Sequence, residues 1–562
     1  MNVDHSRLDE LRASQGEIAN HVIDEFVAGH ISRRDLIRRG AVVGISLPVL
    51  GGILAACSSS ATSSAGKTGG GGSGSGATIR AGIITPTGAI NPVTVDDQGG
   101  LDMLAQTGEY LCLSDQTLTL KPVLAQKWSS NSTADVWTFS IRQGVKFSNG
   151  HPLTADDVVY TYKLLTNPKT ANPTLAGVLV PDGVQKVDDF TVAFHLEAPN
   201  GNFPYLTSSD NYNMIIIPNG QNPGTWQSTF VGTGPFVLKS YTPNVGASFT
   251  RNEKYWGKKA LPAETQFTFY AEETPGVLAL TGGTIDVLGQ FSVSGGPQLL
   301  TNSNIHVSRL KSSAHRELSM RCDESPFTDA RVRQAIALTL NRPDIVKSLF
   351  NGYADIGNDS PFAPVFPSTN TSVPQRAQDI AKAKALLKAA GHASGFSTQL
   401  YANAVQEIPQ YAQIVQASAK EIGVDITVHS QPSATYYGKG TFGNSNWLDA
   451  TMSLVDYGHR GVPNAFLTNP LQTINAKTGT GSWNAAHFNS SQYDKLAAQY
   501  IAAVDLASQR QIAGQIETLL LNETPIIYGY FYNYLSAWAN TVTGPYPTAI
   551  GHLFLYNTTK TA

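Results

Sequence analysis

The residues able to do covalent or metal chemistry are few and scattered. Cys57, Cys112 and Cys322 are too few for a disulfide framework, and no C-x-x-C pair occurs. Twelve histidines lie apart, without close pairs at ligand spacing, so no metal site is written locally. There is no G-x-S-x-G elbow, no Walker loop, no H-E-x-x-H and no credible dinucleotide fingerprint. The acidic pairs Asp156-Asp157 and Asp188-Asp189 fall at a helix start and a turn, where helix dipole and turn chemistry account for them. This pattern argues against an enzyme and calls for neither metal nor cofactor.

The clearest chemistry sits near the start. Ser32-Arg33-Arg34-Asp35-Leu36-Ile37-Arg38 precedes an uncharged stretch over 40–56, which ends in Leu54-Ala55-Ala56-Cys57. Charge, apolar core and small residues in that order read as an export signal. The apolar stretch contains Pro48 and is shorter than the roughly 20 residues that span a bilayer, which disfavours a permanent transmembrane helix. The arginine run resembles the twin-arginine export motif at Arg33 and Arg34, with the general secretory route as the alternative. Leu54-Ala55-Ala56-Cys57 resembles a lipobox, which implies acylation of Cys57 and a lipid anchor outside the cytoplasmic membrane. Residues 58–77 are almost entirely Ser, Gly, Ala and Thr, the composition of a flexible linker.

Composition bounds the rest. With 39 Lys plus Arg against 42 Asp plus Glu, the net charge of −3 rules out a basic surface over the whole molecule and gives no reason to expect nucleic acid, while local patches stay open. Residues 78–562 are enough for two or three lobes. Strands are expected at 78–84, 137–141, 192–196 and 425–428 from β-branched or alternating patterns. Helices are expected after Thr154, at 330–340, at 381–390 with Gly391 ending it, at 411–422 and along 493–521. The mixture points to an α/β architecture.

Several motifs carry a resemblance. Leu124-Ala125-Gln126-Lys127-Trp128, the run 137–147, Gly150 and 152–158 together resemble the signature of the extracytoplasmic solute-binding proteins of the peptide/nickel ABC importer family. Residues 232–236, 251–256, 326–335 and 383–391 continue the likeness. It implies a periplasmic-binding-protein-like type II fold of two lobes with an extra subdomain, crossed twice by the chain and closing on a ligand. The expected divisions are a signal at 1–57, a linker at 58–77, lobe 1 at 78–116, an extra subdomain at 117–225, lobe 1 again at 226–318, lobe 2 at 319–530 and a return to lobe 1 at 531–562. The implied partners are a solute, foremost a peptide, and ABC permease subunits with their cytoplasmic ATPase. The receptor itself would be monomeric. A polyamine, an oligosaccharide or a metal chelate as ligand, or a sensor role without transport, remain alternatives.

The same resemblance nominates binding residues. Leu454-Val455-Asp456-Tyr457 matches the segment whose acidic residue pairs with a peptide amine, which puts Asp456 first and Tyr457 beside it. Glu109 and Tyr110 match a first-lobe segment that faces the cleft. The arginine that some members carry before the acid is absent; Arg460 follows it and could contact an anion. Arg321 replaces a usual asparagine and could add charge to the cleft or pair with Asp323 or Glu324. Trp447, Trp483 and Tyr437 are candidate aromatic walls.

Overall fold

Alternation at 137–141 becomes the strand Val136–Ile141, whose buried Trp137, Phe139 and Ile141 face one side. It pairs with Ala125–Ser130 and Thr191–Leu196, and Leu179–Asp188 completes a four-stranded antiparallel sheet. The helix Ala155–Leu165 covers it, started by Thr154, whose N–H donates to Asp157 Oδ2 at 2.8 Å. Tyr162 on that helix meets Phe194 edge-on at 4.9 Å between ring centroids, and Phe139 packs on Phe194 at 5.2 Å. The acidic pair is thus structural: Asp157 also accepts from Asn219 N, and Asp156 pairs with Lys186 on the surface.

This computed structural model describes residues 76–167, 175, 177–477 and 479–561, with the separate positions 20, 23, 26 and 27. The chain divides into two units, 1–72 and 73–562. In the first, Ile23 and Phe26 are buried helical residues. Arg33, Arg34, Cys57 and residues 58–75 of the linker lie outside the described residues.

Two large sheets organise the second unit. Seven strands run in the order Ile305–Leu310, Tyr534–Ala539, Val287–Phe291, Thr78–Ile84, Glu264–Tyr270, Gly246–Arg251 and Phe236–Thr242. Six run in the order Ala354–Ile356, Ile526–Tyr532, His315–Met320, Met452–Tyr457, Phe396–Asn403 and Val424–Gln431. The chain passes between them at 311–314 and returns at Asn533. The divisions expected at 318/319 and 530/531 cut through strands that belong wholly to the six-stranded sheet, because His315 pairs with Phe531 across one ladder. The two crossings lie side by side, since Leu310 opposes Tyr534 at the end of the neighbouring ladder.

Local capping agrees with the sequence in most helices. Asp329 accepts from Arg331 N to start Ala330–Thr339, and Asp379 accepts from Lys382 N to start Ile380–Ala389. Gly391, at φ +88°, turns the chain after the latter. The single helix expected over 493–521 is two, Ser491–Ala502 and Leu506–Glu523. Ala503 turns extended and Asp505 caps a new helix by accepting from Ser508 N at 2.8 Å, so an apolar repeat continuous in sequence is broken by a capping side chain.

Candidate functional site

Three strands of the six-stranded sheet, Phe396–Asn403, Val424–Gln431 and Met452–Tyr457, run parallel. Their C-terminal ends therefore lie along one edge, the place where α/β sheets hold ligands. Asn403 ends the first of them. Tyr437 sits on the short helix Ser433–Tyr437 that follows the second, and Asp456 is the penultimate residue of the third. Asp456 Oδ1 accepts from Tyr437 OH at 2.9 Å and, at 3.4 Å, from Asn403 Nδ2. Ser433 Oγ in turn donates to Asn403 Oδ1 at 2.9 Å, fixing the amide. Burial and the Asp456 carboxylate hold the Tyr437 phenol above its ordinary range.

Two aromatic pairs flank the carboxylate. Tyr437 meets Trp447 edge-on at 5.5 Å, and Tyr457 stacks on Trp483 at 5.5 Å with the planes 22° apart. Trp447 Nε1 and Tyr457 OH are closed off from solvent and make no hydrogen bond among the described residues. Buried donors are normally satisfied, so these two are exceptions.

Charge balance explains why Asp456 is the notable acid. Directly across the ladder, Arg316 is buried and forms a two-point ion pair with Glu407, at 2.8 and 3.2 Å, with Gln406 Oε1 accepting from Nη2 at 2.6 Å. Its guanidinium lies 4.4 Å from the Tyr532 ring centroid. Glu407 neutralises Arg316, so the group of three carries one excess negative charge. Asp456 Oδ2 accepts no hydrogen bond from the described residues. A partly buried carboxylate in this state favours a cation.

The remaining candidates divide. Arg460 follows Asp456 on the turn after the strand, partly buried, with Nη1 donating to His459 O at 2.8 Å and no ion pair to a described carboxylate. His459 is held neutral, its imidazole pushed down to about 3 by burial and by Arg460. Its Nδ1 accepts from Ser313 N at 3.0 Å, tying the turn to the first crossing. Arg321, by contrast, is clamped by Asp323 at 2.7 and 2.9 Å, reaches Glu324 at 3.2 Å and donates to Asp449 O. Its charge is answered locally, which leaves the pairing alternative and removes the cleft one.

Glu109 and Tyr110 correct the first-lobe expectation. Glu109 is buried and takes Tyr255 OH at 2.6 Å and Trp256 Nε1 at 2.8 Å. Burial pushes its carboxyl up to about 7 against these hydrogen bonds. Tyr110 OH bonds His552 Nε2 at 2.9 Å in the core. Both side chains are internal struts rather than cleft walls. Cys112 and Cys322 are both free thiols. Asn403, Arg316 and Glu407 were not foreseen; no short motif marks them, because strand pairing brings Asn403 and Arg316 beside Asp456 and Glu407 joins through its ion pair with Arg316.

With this geometry in place, comparison with known proteins defines the class. The family model for bacterial extracellular solute-binding proteins, family 5 (middle region), matches residues 119–468, more than half of the chain. The chain belongs to that family, the peptide/nickel-type substrate-binding proteins of ABC importers. Among its relatives, the periplasmic murein peptide-binding protein MppA of Escherichia coli is 27% identical over 440 residues, 73% of this chain and 79% of that protein. Heme-binding protein A of Haemophilus influenzae is 25% identical over 442 residues, covering 73% and 78%. In fold, HbpA2 from Haemophilus parasuis superposes with a TM-score of 0.76 at 22% identity, over 86% of this chain and all of that one. The substrate-binding protein CtaP of Listeria monocytogenes gives 0.75 at 20%, over 87% and 100%. The fold is the two-lobed type II one that the family motifs imply.

Proposed function

We propose that this protein is a lipid-anchored receptor that captures short peptides outside the cytoplasmic membrane and hands them to the permease of an ABC importer. The observation that carries the ligand class is Asp456: a carboxylate at the C-terminal strand edge, oriented by Tyr437 and Asn403, with one oxygen left over and one uncompensated charge. A peptide amine fits that oxygen. Arg460, with no ion pair to a described carboxylate, fits a ligand carboxylate. Relatives named for murein peptides and dipeptides support the same class.

Anchoring through Cys57, followed by the Ser/Gly-rich linker, fits delivery, since a tethered receptor gains effective concentration at its permease. The test of the ligand is a thermal-shift screen of the full chain against di- to pentapeptides, amino acids, polyamines, oligosaccharides and nickel with and without chelators, because a ligand of the native state raises its melting temperature. A peptide response supports the reading. A response only to a polyamine, sugar or chelate overturns the peptide and keeps the receptor. For the anchor, Cys57→Ser is expected to release the protein from the membrane fraction, and retention would overturn acylation.

A further inference from the structure

The ladder between His315–Met320 and Met452–Tyr457 ends with His315 opposite Tyr457. Beyond that pair the two chains part: one becomes the first crossing, 311–314, and the other the turn that carries Arg460. A turn past the last ladder pair keeps its place only if side chains take over the bonds that the ladder no longer supplies.

Ser313 takes them over with every hydrogen-bonding group it has. Its N–H donates to His459 Nδ1 at 3.0 Å. Its hydroxyl donates to Arg460 O at 2.8 Å and accepts from Arg460 N at 2.9 Å. Its carbonyl accepts from His315 Nδ1 at 2.7 Å. The same count fixes both imidazoles: Ser313 N–H can only donate, so His459 carries its proton on Nε2, and Ser313 O can only accept, so His315 carries one on Nδ1. Ser313 is fully buried, so water does not stand in for these bonds. Both backbone groups of Arg460 are thus held by one hydroxyl. The guanidinium turns back along the same turn through Nη1 and His459 O, at 2.8 Å, its one hydrogen bond among the described residues. The Nε–Nη2 edge, whose fork matches a carboxylate, is not used in that bond.

We infer that Ser313 is a positioning residue for the ligand's carboxylate: it fixes the backbone of Arg460, and with it the place from which the guanidinium reaches, without touching the ligand. The inference rests on the reading of Arg460 as the group that takes that carboxylate. Its physical basis is preorganisation. A loose turn would have to be ordered together with the long arginine side chain when ligand binds, whereas a fixed turn leaves only the side chain to order. The serine hydroxyl suits the task because one small atom must both donate and accept; alanine would orphan the N–H and the C=O of Arg460 together. Selectivity follows, since Ser313 contributes only to ligands that present an anion to Arg460.

Two measurements on the full chain test this. In hydrogen–deuterium exchange, Ser313→Ala should speed exchange at the Arg460 amide, followed in peptides covering 457–462, at least tenfold, while 315–320 stay protected; unchanged exchange overturns the proposal. Titration calorimetry then compares the tightest-binding free-acid peptide of the screen with the same peptide made as its C-terminal carboxamide. Ser313→Ala should weaken the acid about tenfold and the carboxamide less than twofold. The loss should vanish in an Arg460→Met background, as it must if the serine acts through the arginine. Equal losses for the two peptides would make Ser313 a general structural residue and overturn the inference. Loss with Arg460→Met but none with Ser313→Ala overturns the inference alone, whereas no loss with Arg460→Met removes the carboxylate reading beneath it. If Ser313→Ala does not fold, His459→Leu, which takes away the acceptor of Ser313 N and leaves Arg460 in place, is held to the same outcomes.

Discussion

Glu109 and Asp456 are two carboxylates with nearly the same dressing and different valence left over. Each sits just past or at the end of a regular element, and each accepts a hydrogen bond from a tyrosine hydroxyl, Tyr255 for Glu109 and Tyr437 for Asp456. Glu109 takes a second strong bond from Trp256 on its other oxygen and is sealed, so its acceptors are filled. Asp456 keeps Oδ2 unfilled beside an Arg316–Glu407 pair that already balances itself. What separates the strut from the proposed binding group is the acceptor and the charge left over once the protein's own groups are counted.

The largest expected effect breaks the comparison on its binding side. Asp456→Asn keeps the shape and the Oδ1 contacts but removes the charge, and should weaken a cationic ligand by about 2–5 kcal/mol, with little change in the melting temperature of the empty protein. Isothermal titration with a peptide from the screen measures it, and unchanged affinity would remove Asp456 from the site.

Glu109 breaks the comparison on its structural side, through pH. Its folded carboxyl, at about 7, lies above the ordinary value of 4.5, so the folded state holds a proton that the unfolded chain releases. Stability from this group is full below about pH 4.5, falls as pH rises toward 7 and is level above that, a loss of roughly 3 kcal/mol across the window. Glu109→Gln, which cannot ionise, should flatten that part of the stability curve measured by urea unfolding, and leave ligand affinity within twofold. A slope unchanged by the substitution would assign the titration elsewhere.

Smaller effects sharpen the contrast. Tyr437→Phe removes one hydrogen bond to Asp456 and should weaken ligand binding by about 1 kcal/mol, since the carboxylate keeps its charge but loses its orientation; an effect as large as that of Asp456→Asn would mean the phenol itself holds the ligand. Arg321→Ala should change stability by less than about 1 kcal/mol, because its partner Asp323 is largely exposed, and should leave affinity unaltered. Lost affinity in that variant would return Arg321 to the cleft.

Much of this was readable in sequence where the cause is local. Strand alternation at 137–141, the start of the helix after Thr154 and the left-handed Gly391 each depend on residues within a few positions of one another. So did the candidacy of Asp456, carried by a four-residue segment. Reading failed where a side chain's partner comes from far along the chain. Glu109 looked like a cleft residue until Tyr255 and Trp256 arrived from 146 and 147 residues away to fill it. The long helix over 493–521 failed for another reason, as apolar periodicity carries through a break that one capping aspartate imposes.

By itself, then, the sequence determined the α/β composition and the family, because each is written in contiguous residues. The tertiary structure alone decided which carboxylate is satisfied, that Arg316 and Glu407 cancel beside Asp456, and where the chain changes sheet. Those outcomes depend on hydrogen-bond valence and charge summed over groups brought together by strand pairing and lobe contact, and no stretch of sequence contains that sum.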